Sequence, residues 1–447
     1  MQKSNSPRVI LSGIALSALA ACGGGNSTTP TPSVPVAPPV PIYTVGGAIT
    51  GLKSGGMILA SGADKLSVAP AATSFVLPTA LTAGTAYNVV IADQPPRFTQ
   101  MCALVNGSGT IGNANVTNIG VSCSDQVAVV STLAGTNNPT KLPTGLPEPV
   151  FDHPQGLTLD DAGNVFVADQ NNARIAMVTP AGVVTTFVGR TPGEAPSDAD
   201  LVLGKIEDIT RDKDGNFYAV GQHMVFKITR AGVITTLAGA PSIGYADGTG
   251  TQARFNTPLG IKVDDAGNLY VADTLNLRIR KITPAGVVTT IAGSGVRGSV
   301  DGAALQASFA NPIGIAVDQA GNVFVSESNL IRKLTPAGTV STFAGSGSDV
   351  GEDGQGLKAS FNQPYGLAID AAGNLYVAEQ GGTVRTISPS GYVATVAGKN
   401  RAVGRVDTDG VGSVATFSTP HGIAVDAAGN LYVGDRMGGR VRKIVQQ

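Results

Sequence analysis

Five acidic residues recur at matching places in this chain of 447 residues: Asp169, Asp273, Glu327, Glu379 and Asp435. An arginine follows each of them within a few residues: Arg174, Arg278, Arg332, Arg385 and Arg440. A ring of carboxylates is the raw material of a metal site or of acid–base chemistry. A basic partner repeated beside every acid points instead to structural ion pairing, and the spacing favours that reading. The acids share one candidate ligand face with a second set, the middle residues of a recurring Pro-x-Gly: Gln155, Leu259, Ile313, Tyr365 and His421. These are amide, apolar and aromatic groups, suited to recognition more than to bond making.

The three histidines, His153, His223 and His421, are the remaining chemical candidates. Three imidazoles and an open position would suit a catalytic zinc. His153 and His421 flank Pro-x-Gly segments, and His223 follows a second strand. Four Asp-Gly pairs (Asp247-Gly248, Asp301-Gly302, Asp353-Gly354, Asp409-Gly410) are each followed by Ala-x-Phe. The phenylalanine should fill the wedge between repeats and Asp-Gly should shape the turn. Calcium at these loops would need a denser run of acidic ligands. No Gly-x-Ser-x-Gly, Walker loop or Cys/His cluster is present, and no cofactor is expected.

These residues are positioned by a repeat. Phe255–Gly293 holds four apolar, β-branched runs separated by turn signals, which read as a four-stranded antiparallel meander. Asp-x-x-Gly-Asn marks the period at Asp160, Asp212, Asp264, Asp318, Asp370 and Asp426. Four strands at that length make a propeller blade, and six follow one another, here numbered one to six. Blade six ends at Val441–Val445 without a fourth strand, while Val127–Gly135 repeats the outer strand in the right phase. The N-terminal strand of the ring should therefore complete the C-terminal blade and remove the open edge. Blade two departs most: Leu203-Gly204-Lys205-Ile206 replaces Phe-x-x-Pro, and Gly221-Gln222-His223-Met224 replaces Ala-Asp-x-x-Asn.

The motif set Phe-x-x-Pro-x-Gly, Asp-x-x-Gly-Asn-hydrophobic-Tyr-Val-Ala-Asp and Asn-x-Arg-Ile-Arg-Lys-Ile resembles NHL-repeat β-propellers over residues 127–447. The resemblance implies a six-bladed ring; functions in the family range over protein binding, RNA binding, sensing and a few enzymes. A second resemblance concerns the propeller lyases that cleave peptidyl-hydroxyglycine, which hold zinc through His in Pro-His-Gly-type sites of three blades. Pro420-His421-Gly422 matches that pattern; Gln155, Leu259, Ile313 and Tyr365 do not.

The remainder of the chain frames the ring. Lys3 and Arg8 precede an apolar run, Val9–Ala20, that ends in Leu19-Ala20-Ala21-Cys22. This is an export signal whose end resembles the bacterial lipobox, implying that Cys22 carries lipid and that residues 1–22 are an address. Gly23 after the cysteine implies outer-membrane retention in that family. Residues 23–42 are Pro-rich and read as a disordered tether that reaches roughly 60 Å at about 3.1 Å per residue. Residues 43–125 alternate short apolar runs with Gly, Pro, Asn and Ser, as in a small β-sandwich of about seven strands. They resemble the Ig-like modules of bacterial lipoproteins, and a spacer is the expected role. With Cys22 set aside, Cys102 and Cys123 are left to pair in an oxidising compartment, tying a central strand to the last.

Charge narrows the partners. Thirty Lys and Arg against thirty-one Asp and Glu leave a net charge of −1, so nothing draws the chain to nucleic acid. There is no Trp, and aromatic residues make up 5%. The expectation is an all-β, monomeric, lipid-anchored binding scaffold of the cell envelope, held to the membrane by its anchor alone. Its propeller face would meet a protein or glycan. The alternative is a metal-dependent lyase or lactonase working at the axial mouth of that face.

Overall fold

The computed structural model describes residues 39–136, 151–190, 203–400 and 407–447. The expected export signal, Cys22 and nearly all of the expected tether lie outside the described residues. Met1–Pro41 forms one unit, whose described residues Pro39, Val40 and Pro41 are exposed and in no strand. Ile42–Gln447 forms a second unit that contains both the N-terminal module and the ring.

Each turn signal does what its chemistry allows. In blade three the Asp264 carboxylate accepts the backbone N–H groups of Ala266 and Asn268 and the Asn268 side-chain amide. Gly267 takes φ +82°, a conformation that suits glycine. The turn joins the innermost strand Pro258–Val263 to Leu269–Asp273, and Arg278–Ile282 and Val287–Ala292 complete the sheet. Six such sheets are described, and blades three to six carry a fifth strand of two residues on the outer edge. Their innermost strands (Pro154–Leu159, Ile206–Arg211, Pro258–Val263, Pro312–Val317, Pro364–Ile369, Pro420–Val425) touch in a closed cycle. The ring is a β-propeller. Ala128–Gly135 pairs antiparallel with Arg440–Gln446, Ala128 opposite Gln446 and Gly135 opposite Arg440, so the N-terminal strand does complete blade six.

The wedges between blades hold the core. Phe151, Phe255, Phe309, Phe361 and Phe417 are fully buried, and Leu203 takes the same role before blade two. In blades three to six an arginine of the third strand lies over that ring, from 4.9 Å for Arg442 on Phe417 to 5.6 Å for Arg385 on Phe361.

The N-terminal module has eleven short strands rather than about seven. Its largest sheet runs in the order Ser74–Val76, Val45–Thr50, Val116–Asp125, Gln100–Val105, and its second strand pairs parallel with its third. The disulfide joins Cys102 to Cys123, which stand directly opposite each other on paired strands. Gln100–Val105 is an edge strand of that sheet, so the expected link to a central strand is corrected. The module is also more than a spacer. Phe98, at φ +69°, is buried in the apolar core of blades five and six, edge-on to Tyr376 at 6.2 Å. Arg97 donates to the Ala428 carbonyl at 2.7 Å, and the Ser390 hydroxyl donates to the Gly56 carbonyl at 3.1 Å. These contacts lie on hairpin turns or on the strand residues beside them, at the end of the ring opposite Pro-x-Gly.

Candidate ligand face

The second residue of each innermost strand forms a ring about the axis. The glycine after it sits close to the next blade: a Cβ on Gly260, Gly314, Gly366 or Gly422 would come within 2.1–2.2 Å of a carbonyl oxygen there. Glycine at this place is a packing requirement. Blade two breaks the rule. Its strand begins at Ile206, which pairs with Gly221 as Pro258 pairs with Asp273, so Glu207 takes the axial position and Asp208 stands for the glycine. The Asp208 carboxylate occupies the space over Gly156 and accepts the N–H groups of Ile209 at 2.8 Å and Ile261 at 3.0 Å. The axial ring is therefore Gln155, Glu207, Leu259, Ile313, Tyr365 and His421.

His421 closes this end of the axis. Its ring stacks on Tyr365 at 3.9 Å and 26°. Nδ1 lies 2.5 Å from Gln155 Oε1, and Nε2 lies 2.8 Å from Gln380 Nε2. An amide N–H can only donate, so Nε2 accepts and Nδ1 carries the proton. Burial lowers the His421 pKa to about 3, and the nearby Arg436 guanidinium adds to the effect. Glu207 is pushed up by burial and held back by a hydrogen bond from Gln170 and by the charge of Arg436. Below this layer the waist of the channel encloses about 20 Å³, room for about one water.

The five acids are not on the surface of this face. Asp169, Asp273, Glu327, Glu379 and Asp435 are wholly inaccessible, which corrects their place among ligand-contacting residues. Each accepts a backbone N–H from the loop that leads into Pro-x-Gly: Asp152, Asn256, Ala310, Asn362, and for Asp435 both Ser418 and Thr419. Each also faces an arginine. Arg174 Nε lies 2.7 Å from Asp169, Arg280 2.7 Å from Asp273 and Arg442 3.7 Å from Asp435; Arg332 pairs with Glu327 and Arg385 with Glu379. Arg280 and Arg442 replace the expected Arg278 and Arg440; Arg278 lies on the same strand face as Arg280 but donates to the carbonyls of Asn276 and Ser294 instead.

Those arginines reach one carboxylate more. Arg280, Arg332, Arg385 and Arg442 bond Asp247, Asp301, Asp353 and Asp409 of the Asp-Gly pairs at 2.6–2.7 Å. Asp247 also accepts the backbone N–H and hydroxyl of Thr290. The Asp-Gly carboxylates are thus engaged by protein groups.

Among the described residues no three His, Cys, Asp or Glu side chains gather where they could hold one ion. His153 has φ +60° in the position before proline, as do Thr257 and Gln363 in blades three and five, and its Nδ1 meets Asp152 and Asn171. His223 Nδ1 accepts the Thr257 N–H at 3.0 Å. Only His421 reaches the axial mouth. Sequence reasoning missed Glu207 and Asp208, although counting on from Leu203 by the repeat would have placed them.

The NHL repeat profile matches residues 151–176, 255–282 and 417–444, the first three strands of blades one, three and six. The chain carries NHL repeats. It is 30% identical over 263 residues to NHL repeat-containing protein 2 of Bos taurus, across 50% of the chain and 36% of that relative. The chain thus spans about a third of the length of this curated relative. Among solved structures it is similar to a protein of unknown function from Bacteroides thetaiotaomicron, with TM-score 0.55 and 19% identity over 91% of this chain and 98% of that one. An auxiliary nutrient binding protein from the same organism gives TM-score 0.54 and 15% identity over 90% and 98%. Shares of that size exceed what the NHL ring alone can supply, so the likeness in fold takes in the N-terminal module.

Proposed function

We propose that this NHL propeller is a binding scaffold of the cell envelope, anchored through lipid on Cys22, whose Pro-x-Gly face meets a protein or glycan. The observation that carries this reading is the closed axial mouth. His421 is neutral and held between Gln155, Gln380 and Tyr365, over a waist too small for a substrate. The acids that would make a reaction centre are spent on arginine and on the loops they hold. The same loops form a broad rim, and Leu275 and Met437 stand exposed on it, 53% and 51% accessible, on blades three and six. Exposed apolar side chains on a rigid, polar-rimmed face suit recognition.

The test has two arms. Binding of isolated envelope glycan and envelope protein fractions is measured for the wild-type chain and for a variant with Leu275→Glu and Met437→Glu. Saturable binding lost in the variant and kept in a hairpin-end control, Val233→Glu, supports the face; binding insensitive to the rim overturns it. Fractionation of cells that express Cys22→Ala tests the anchor: release from the membrane is expected, and unchanged membrane retention would count against lipid attachment.

A further inference from the structure

The axis is closed at one end and open at the other. Below the waist the channel widens into a cavity of about 220 Å³ at the hairpin end. Its wall is divided. The fifth residue of the innermost strand is Thr158, Thr210 and Lys262 in blades one to three, but Ala316, Ala368 and Ala424 in blades four to six. A second cavity of about 390 Å³ adjoins it through shared walls at Ile369 and Val425 and extends to Arg97 of the docked module. Together they come within the usual size of ligand pockets, ~300–1,000 Å³.

Charge in this space is uneven. Among the described residues the Lys262 ammonium has no hydrogen bond and no ion pair; its electrostatic neighbour is Asp208. Both Asp208 oxygens are already taken by the N–H groups of Ile209 and Ile261. A lone ammonium beside two hydroxyls and opposite a methyl-lined wall is an amphipathic receptor. We propose that this funnel binds a small amphiphile. Its anionic head, carboxylate or phosphate, sits on Lys262, Thr158 and Thr210, and its apolar tail lies over Ala424, Ile369 and Val425 towards the module. This site is at the opposite end of the ring from the ligand face and does not depend on it.

Calorimetric titration of the full chain with octanoate, octyl phosphate and octanol tests the assignment. Both acids should bind at least about tenfold more tightly than the alcohol, since the head group supplies a charge-assisted bond. The tighter of the two identifies the head as carboxylate or phosphate. Lys262→Met should erase the preference for acid over alcohol. Ala424→Leu, which fills the apolar wall and leaves Lys262 in place, should weaken all three ligands and provides the test if the lysine variant fails to fold. Octanol binding as tight as octanoate, no heat with any of the three, or a preference unchanged in Lys262→Met would overturn the proposal.

Discussion

Phe226 of blade two stands at the register position that Arg280 holds in blade three: Phe226 lies opposite Ala219, and Arg280 lies opposite Val271, the matching residue of the second strand. Gly221 likewise stands where Asp273 does. Blade two has therefore exchanged a buried ion pair for an apolar contact as a unit, and it still folds into the same four-stranded sheet. The pair is one solution to filling the wedge, and its members are interdependent. Arg280→Met alone leaves Asp273 buried without its cation and should destabilise by about 3–5 kcal/mol. Arg280→Phe with Asp273→Gly, the blade-two combination, should recover most of that loss. Urea denaturation midpoints decide; a double variant no better than the single would show that the pair is not replaceable here.

Blade six contains a different exception. Glu327 of blade four accepts a hydrogen bond from Ser299, two residues before its Asp-Gly; blade six has Asp407 at that place, buried beside Asp435. A point 3.0 Å from the Asp407 carboxyl carbon is 3.1 Å from that of Asp435, so the two carbons are at most about 6 Å apart. Burial first, and then the charge of Asp407, raise Asp435 from 3.8 to about 7. The folded value lies above the unfolded one, so the contribution to stability is largest at low pH and is lost as pH rises through about 7. Asp407→Ser should raise the melting temperature at pH 8 and flatten its fall between pH 5 and 8. An unchanged pH slope would mean that the charge of Asp407 does not act on Asp435.

Gly260 tests the packing about the axis. Its φ is ordinary, and the cost of a side chain there is contact with the Ile313 carbonyl oxygen at 2.1 Å. Gly260→Ala should cost about 1–3 kcal/mol through forced backbone shifts. Stability equal to wild type would mean that neighbouring blades can slide apart freely.

Phe98 tests the union of module and ring. Removing a ring buried between blades five and six should cost about 3–5 kcal/mol. Phe98→Ala should also increase hydrogen exchange at Tyr376 and its neighbours while leaving blade three unaffected. Equal protection in both places would show that the docking is carried by other contacts.

The ring was legible because its signals are local. Asp-x-x-Gly-Asn closes a hairpin with its own side chains, and a missing fourth strand is visible in the repeat count. The acid–arginine pairing was legible in kind but not in register: Arg278 and Arg280 are both near Asp273 in sequence and share one strand face, so the two-residue period does not tell which reaches the acid. The axial residues of blade two were hidden because Ile206 replaces the proline that marks the position elsewhere. The contacts of Arg97 and Phe98 with blades five and six join residues about three hundred apart, and no local pattern announces them.

A measurement on His421 bears most directly on the binding reading. The chain has only three histidines, so their ring nitrogens can be assigned by substituting each in turn. Nitrogen NMR between pH 8 and pH 5 should show His421 as the neutral Nδ1–H form throughout, consistent with a pKa lowered to about 3, and unmoved by added zinc. Titration of His421 near its ordinary value, or a zinc-dependent shift of its Nε2, would mean that the axial mouth opens to solvent and metal, and would contradict the reading of this face as a closed binding surface.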